Sequence, residues 1–465
     1  MPSGPDGLVS DPRYTEEFER ARALLLAHPR RWRVIYHYDG DGIASASSAL
    51  RAFERLGYPA QATALVGVER DRVASLLKST PGPVLVVDTG ASWLDLFATH
   101  SAPVIVLDHH KYPGVPNPPA LPAHVAFVNP LDWGVDGMNE LCAATLTWLF
   151  TVFLDPMNWD NAPWGLSGAI ADRQHVGGFR GLNELLVQEA VRRSLVVRRR
   201  GIALFGATVG EALAQSIDPY VKGLSSRPDA VGPFLHGLGI DPGRRPAKLT
   251  DDETKRLVIA LKERLAANGV APEAADVLDQ ERWFLPALGL DAEEVSNLQN
   301  ASGRAGIPGV GVAYALGDVR AAERVRASES EWRAGILRGL RRIEDDGVNS
   351  MRFLRWFESP ETTLAGTQAG LAMNYLLPPE LPVFVFSDGG PAPTKVSARG
   401  TLRQVERGLD LAAACRIAAN SVGGEGGGHR VASGATIPAG TRPVFLDTAD
   451  RVLAEQLGPT AGGGA

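Results

Sequence analysis

Four short apolar runs rich in β-branched residues punctuate the first part of the chain: RVIYHY (33–38), PVLVV (83–87), PVIVL (103–107) and HVAFV (124–128). Each is too short for a helix and is bounded by polar, Pro or Gly residues, so each reads as a buried strand. Between them, SASSALRAFERLG (45–57) and VERDRVASLL (68–77) carry apolar residues at helical spacing, and TEEFERARALLLAH (15–28) ahead of them reads as a helix. Strand–helix alternation with wholly apolar strands predicts an α/β fold with a parallel sheet, covering 31–318 after an N-terminal extension over 1–30. Helical patterns return at 141–154 and 163–174, and 181–290 reads as a mostly helical, charged insertion broken by Pro and Gly near 226–246. The charged periodic stretch 319–347 predicts a linking helix. Beyond it, 348–455 holds strand candidates PVFVFSD (382–388) and TKVSARG (394–400), a helix at 409–421 and a glycine-rich loop, a second and smaller α/β unit. Residues 456–465 read as a disordered tail.

Composition narrows the class. A chain of 465 residues with 45% apolar and 22% charged residues is long enough to bury two cores. The apolar run LCAATLTWLFTVFL (141–154) falls short of the roughly 18 residues a membrane-spanning helix needs. The N-terminus lacks a basic region followed by an apolar core, so secretion is not expected. Two cysteines, Cys142 and Cys415, exclude a disulfide framework and a four-cysteine zinc site, and fit a reducing cytoplasm. A net charge of −6 argues against coating duplex DNA through global charge, while leaving room for a local basic channel.

The candidate chemistry sits where strands end. The first strand runs into His37-Tyr38-Asp39-Gly40-Asp41-Gly42, the second into Asp88, and the third into Asp108-His109-His110. In a parallel α/β sheet the carboxyl ends of the strands line one crevice, where ligands bind. In an extended segment His37, Asp39 and Asp41 point to one side, so one strand end presents an imidazole and two carboxylates together. Asp172, closing AIADRQ, approaches from a helix end. Two divalent cations need several ligands including a bridging carboxylate, which this set supplies; mixed imidazole and carboxylate ligation suits Mn²⁺ and tolerates Mg²⁺. Taken singly, the bland readings weigh heavily. Asp-Gly-Asp-Gly is a common turn, and a lone Asp after a strand is usually a cap. A calcium loop is excluded because the twelfth positions from Asp39 and Asp41 are Leu50 and Ala52. Adjacent histidines after Asp108 in a chain with nine histidines are not a chance pattern.

Taken in order, His-x-Asp-x-Asp-Gly, then Asp, then Asp-His-His, then Asp resembles the four signature motifs of the DHH phosphoesterase superfamily. Asn300-Ala-Ser-Gly-Arg304 resembles a segment of RecJ-like single-strand exonucleases, Val396-Ser397-Ala398-Arg399 their phosphate-contacting strand, and Gly423-Gly-Glu-Gly-Gly-Gly-His429 the glycine-rich signature of a C-terminal DHH-associated domain. The resemblance implies one cation on His37, Asp39 and Asp88 and a second on Asp41, Asp88, His109 and Asp172, with Asp88 bridging. It implies that Asp108 orients the imidazoles, that His110 acts at the scissile phosphate, and that Asn300, Arg304, Ser397, Arg399, Gly426, Gly427, Gly428 and His429 bind substrate. Glycines suit that task because backbone N–H groups can close on an anionic oxygen.

The expectation is therefore a two-metal phosphodiesterase that releases mononucleotides from single-stranded DNA or RNA, with Mn²⁺ before Mg²⁺, and with replication or repair proteins as further partners. Its rivals are an oligoribonuclease or cyclic-dinucleotide phosphodiesterase, and a replication-complex subunit of nuclease ancestry. The arginine runs 192–193 and 198–200 and Trp93, Trp133, Trp148, Trp159 and Trp164 read first as solvated helix face and core packing.

Overall fold

The structure, a computed structural model, describes residues 7–8, 11–66, 70–387 and 393–458. Its contacts divide into two compact units, 1–200 with 281–330 and 201–280 with 331–465.

The first unit is built on five parallel strands: β1 (Trp32–His37), β2 (Ala60–Leu65), β3 (Val84–Val87), β4 (Val104–Leu107) and β5 (Val125–Val128), in the order β2-β1-β3-β4-β5. Every residue of β3, β4 and β5 is buried, because side chains on both faces meet helices. Val34, Tyr36, Leu85, Val87, Ile105 and Leu107 join one core with Phe18, Phe53, Leu146 and Trp148. The alternate residues Ile35, Val84, Val86, Val104 and Val106 join a second core with Val73, Leu94 and Phe97 on the other face. The order places β1 between β2 and β3, the point at which the winding of the sheet reverses. Tyr36 pairs with Val87 and Val87 with Leu107, so the residues that follow β1, β3 and β4 emerge side by side. The half-buried edge strand β2 was not anticipated: AQATAL lacks the large β-branched residues that mark the central strands.

A small sheet of β6 (Val197–Gly201), β7 (Gln280–Leu285) and β8 (Leu290–Asp291) follows. The second unit carries β9 (Asn349–Ser350), β10 (Arg355–Glu358), β11 (Val383–Ser387), β12 (Thr394–Arg399), β13 (Glu425–Gly428) and β14 (Ala432–Ile437), ordered β13-β14-β12-β11-β10-β9. Only β10 and β11 pair in parallel.

The insertion differs from its expected grouping with the N-terminal unit. Helices Val209–Ala214, Pro228–Gly237 and Asp251–Ala267 send Leu213, Val231, Leu235, Leu257, Leu261 and Leu265 into a core shared with Ile336, Leu340, Leu371, Ala372 and Val383. Residues 201–280 therefore belong with the C-terminal part of the chain, because that is where their apolar faces are covered. The long helix appears as one element, Val319–Asp346. The expected glycine-rich loop is in large part strand β13, paired residue by residue with β14. Asp388 and residues 459–465, most of the expected tail, lie outside the described residues, and the final helix runs Arg442–Leu457.

Gly42 and Gly168 in the first unit mark close approaches. A Cβ at Gly42 would lie 2.1 Å from the His37 carbonyl oxygen, and one at Gly168 would lie 2.2 Å from Ala144 Cβ and 2.9 Å from Asp41 Oδ1. Gly168→Ala should therefore destabilise by about 1–3 kcal/mol through overpacking. Gly370→Ala, in helix Ala365–Tyr375 with nothing within 4 Å of the new methyl, should instead gain about 0.5–1 kcal/mol. Urea denaturation of both variants checks this; equal midpoints would refute it.

Candidate metal centre

The chain turns sharply after β1. His37 is its last residue, Asp39 caps helix Gly40–Leu56 by accepting from Gly42 N–H (3.2 Å), and Asp41 lies in the first helical turn. Residues 37–41 are thus not one extended segment, as the sequence reading supposed; Asp41 reaches the site from the helix. There it is fully buried, and its carboxylate accepts from the backbone N–H of Ala143 (3.0 Å) and Ala144 (2.9 Å), at the N-terminus of helix Ala143–Leu154. Those unsatisfied helical amides favour the anionic form. Helix Ala292–Arg304 packs on the same turn: Asn300 Oδ1 accepts from Gly40 N–H (3.0 Å), and a Cβ at Gly303 would lie 2.1 Å from the Tyr38 carbonyl oxygen.

Asp88 follows β3 with φ of 57°, a left-handed conformation that Asp tolerates better than most residues. Asp108, after β4, is wholly buried and accepts from Ala91 N–H (2.8 Å), His109 N–H (2.8 Å), His110 N–H (3.2 Å) and His110 Nδ1 (2.8 Å). Asp172 is the C-terminal cap of helix Ala162–Ala171.

These residues converge. His37 Nδ1 lies 3.0 Å from Asp39 Oδ2 and 3.5 Å from Asp88 Oδ2. His109 Nε2 faces Asp88 Oδ1 (3.3 Å), Asp172 Oδ2 (3.4 Å) and Asp41 Oδ2 (3.6 Å). Ligand atoms of His37, Asp39 and Asp88, of Asp41, His109 and Asp172, and of Asp88, Asp108, His109 and His110 form three groups, each within 4.8 Å. The donor set therefore fits divalent cations. His109 Nδ1 lies 2.6 Å from the Gly137 carbonyl, an acceptor that fixes the proton on Nδ1 and aims the Nε2 lone pair at three carboxylates. Asp88 Oδ2 is buried with no hydrogen-bond partner. An Nε2 lone pair aimed at three carboxylates, and a buried Asp88 Oδ2 with no hydrogen-bond donor, call for positive charge among these groups.

In the absence of a cation only protons can serve. Burial, helped by the charges of Asp88 and Asp39, pushes Asp41 up to about 7, and burial with Asp41 nearby does the same to Asp172. Burial alone would lower the pKa of His37, but the Asp39 and Asp88 carboxylates beside its Nδ1 win and hold it at about 11. Against a burial cost, the hydrogen bond and charge of His37 hold Asp39 down at about 2.

The other site candidates divide between the units. Arg304 ends its helix, exposed. In the second unit, Ser397 pairs with Gly434 and Gly434 with Gly427, while Arg399 pairs with Ala432, to whose carbonyl His429 donates its backbone N–H (2.8 Å). Directly paired residues share a face, so Ser397, Arg399, Gly427 and His429 lie on one side of the sheet. Gly426 and Gly428 alternate to the other side: a Cβ at Gly426 would lie 2.5 Å from the Cys415 carbonyl oxygen of helix Leu411–Asn420. Among the three glycines only Gly427 opens onto the Ser397 face, with nothing within 4 Å of its missing Cβ; Gly426 is there for packing. Trp93, Trp148, Trp159 and Trp164 are core residues, and Arg192 and Arg193 pair with Glu189. The sequence reading missed Gly137, Ala143 and Ala144, because backbone groups leave no residue-type signal.

Asp88 contacts both imidazoles, so Asp88→Ala should abolish Mn²⁺ binding in calorimetric titration, whereas Asp39→Ala and Asp172→Ala should each weaken it by at least about ten-fold. Wild-type protein should also melt at lower temperature in excess chelator than with Mn²⁺. A folded Asp88→Ala variant with unchanged Mn²⁺ binding would overturn the ligand assignment.

The family model described as the DHH family, N-terminal domain, matches residues 31–172, and the DHHA1 domain matches 371–455. An uncharacterised protein of Methanocaldococcus jannaschii is 27% identical over 438 residues, covering 93% of this chain and 95% of its own. Among solved structures, exonuclease RecJ bound to manganese aligns with TM-score 0.57 at 20% identity, covering 94% of each chain. CDC45 from Entamoeba histolytica aligns with TM-score 0.64 at 10% identity, covering 95% of this chain and 98% of its own. No helix among the described residues is long and apolar enough to cross a membrane. The chain thus carries a DHH N-terminal domain and a DHHA1 domain, in a fold shared with exonuclease RecJ.

Proposed function

We propose that this protein hydrolyses phosphodiester bonds in single-stranded nucleic acid, releasing mononucleotides from an end. The observation that carries the reading is the complete donor set gathered beside β1, β3 and β4. His37, Asp39 and Asp88 would hold one divalent cation, and Asp41, Asp88, His109 and Asp172 a second, Mn²⁺ or Mg²⁺. Bound there, such ions supply Lewis acidity toward phosphoryl oxygens and toward water.

The remaining work falls to the chain's own groups. Asp108 takes the backbone N–H groups of His109 and His110 and the His110 Nδ1, which fixes the His110 ring and the backbone of both histidines. His110 is left half exposed, and its hydrogen bond to Asp108 raises its pKa against the cost of burial, favouring the protonated ring. It is suited to donate a proton or hydrogen bond to a phosphate or departing oxygen. Arg304 is an exposed cation on the domain that carries the site, with geometry suited to a phosphate. Asn300 already spends its side-chain oxygen on Gly40, so it shapes the site as well as bordering it. On the DHHA1 sheet, Ser397, Arg399, Gly427 and His429 offer a hydroxyl, a guanidinium, an open backbone and an imidazole on one face, a set suited to phosphate oxygens.

Retention of every candidate ligand favours catalysis over a purely architectural role of the kind considered among the rivals. Similarity to exonuclease RecJ supports nucleic acid ahead of a small dinucleotide as substrate.

End-labelled single-stranded DNA and RNA, blunt duplex and a cyclic dinucleotide, each digested with Mn²⁺ and with Mg²⁺, test the reading. Mononucleotides should accumulate from the single strands, with blunt duplex cut poorly and no product in chelator. Equal rates on blunt duplex, or cleavage of the cyclic dinucleotide alone, would contradict it. Arg399→Ala and His429→Ala should lower kcat/KM by roughly ten- to a hundred-fold, mainly through KM, since a charge-assisted phosphate contact contributes about 1.5–3 kcal/mol. Their Mn²⁺ affinity should stay intact; loss of metal binding in either would remove these residues from the substrate role.

A further inference from the structure

A chain of buried amides leads away from the metal centre. The Gly137 carbonyl, which accepts from His109 Nδ1 at 2.6 Å, also accepts from Gln174 Nε2 at 2.8 Å. Gln174 Oε1 in turn accepts from Asn183 Nδ2 at 2.6 Å, and the Asn183 backbone N–H donates to the Glu140 carbonyl at 2.9 Å. Gln174 is 4% exposed and Asn183 1%, so neither side chain is held by solvent. The geometry of the backbone delivers Gln174 there. Helix Ala162–Ala171 ends at Asp172, Arg173 turns left-handed with φ of 60°, and Gln174 N–H folds back to the Ala169 carbonyl. Asn183 lies near the start of helix Gly181–Arg192, and its backbone bond to Glu140 ties that helix to the loop that carries Gly137.

We infer that Gln174 and Asn183 are positioning residues for the cation held by Asp41, His109 and Asp172. The inference rests on the metal-centre reading above. Gln174 lies two residues after Asp172 and bonds the very carbonyl that orients His109, so one amide couples two ligands that come from different parts of the chain. Asn183 fixes which way the amide faces. It donates to Gln174 Oε1, so the Gln174 NH₂ group is the end turned to Gly137. The Gly137 carbonyl is thereby kept in place for the Nδ1 proton, and His109 keeps Nε2 free for the cation. Outer hydrogen bonds of this kind hold a ligand's tautomer and direction. In this reading neither residue is a cation ligand itself.

The test compares Gln174→Met, which keeps the side chain's length and removes both hydrogen bonds, with Gln174→Glu, which cannot donate to Gly137. Gln299→Met serves as the control. It also deletes a buried amide, the partner of Ser167 Oγ at 2.8 Å, away from this relay. Calorimetric Mn²⁺ titration and thermal unfolding of the metal-free full-length proteins are measured for each. Both Gln174 variants should bind the weaker or the tighter of the Mn²⁺ equivalents about ten- to a hundred-fold less well while the other equivalent is retained. The Gln299→Met control should lose stability with little change in Mn²⁺ affinity. Asn183→Ala should show a smaller loss in the same direction, since it frees the amide to turn without removing it. If wild-type protein binds Mn²⁺ and Gln174→Met binds it identically, the inference is wrong and the metal centre stands. If wild-type protein binds no Mn²⁺, the metal-centre reading fails and takes the inference with it. Should a Gln174 variant not fold, Asn183→Ala decides alone: wild-type Mn²⁺ affinity in that variant overturns the relay.

Discussion

Mutual repulsion among Asp39, Asp41, Asp88 and Asp172, compressed around the imidazoles of His37 and His109, is the constraint on which the rest of the first domain depends. Carboxylates this close and this buried cannot all be ionised without cations among them. The fold pre-arranges them before any ion arrives. Asp41 is gripped by the amides of Ala143 and Ala144, Asp108 by those of Ala91, His109 and His110, and Asp88 is held in a left-handed turn. Close approaches at Gly40, Gly42, Gly168 and Gly303 bring the supporting helices against that turn.

The sheet order explains why these residues and no others form the site. Because β1, β3 and β4 are neighbours in register, three chain segments far apart in sequence deliver His37, Asp88 and Asp108–His110 to adjacent strand ends. Helix ends then supply Asp41 and Asp172. In the DHHA1 domain the same kind of logic operates through antiparallel pairing. Strand parity sorts Ser397, Arg399, Gly427 and His429 to one face, and Val396 and Ala398 to the core on the other.

Much of this was legible in the sequence, for identifiable reasons. VLVV and VIVL read as buried strands because these branched runs are too short for a helix and are bounded by polar, Pro or Gly residues, and Asp88 and Asp108-His-His then lie at their ends. Asp39 and Asp41 were legible as residues but not as geometry, because the tight turn at Gly40 replaces extended chain with a helix. Strand β2 escaped notice because an edge strand of Ala, Gln and Thr has no apolar signature. Residues 201–280 carried the right helical pattern but no mark of which core they would cover; Leu257 and Leu261 look the same whichever unit receives them. The glycine run read as a loop because period-two alternation has no side chains to show itself in. Gln174 and Asn183 carried no signal at all, since a buried amide is recognised only by what it bonds.

The central claim is that this one cluster holds the protein's divalent cations. Crystals soaked in Mn²⁺ and measured at the manganese absorption edge test it most directly. The account expects two anomalous peaks, one among His37, Asp39 and Asp88 and one among Asp41, Asp88, His109 and Asp172. A crystal in which manganese occupies some other part of the molecule while this cluster stays empty would contradict it.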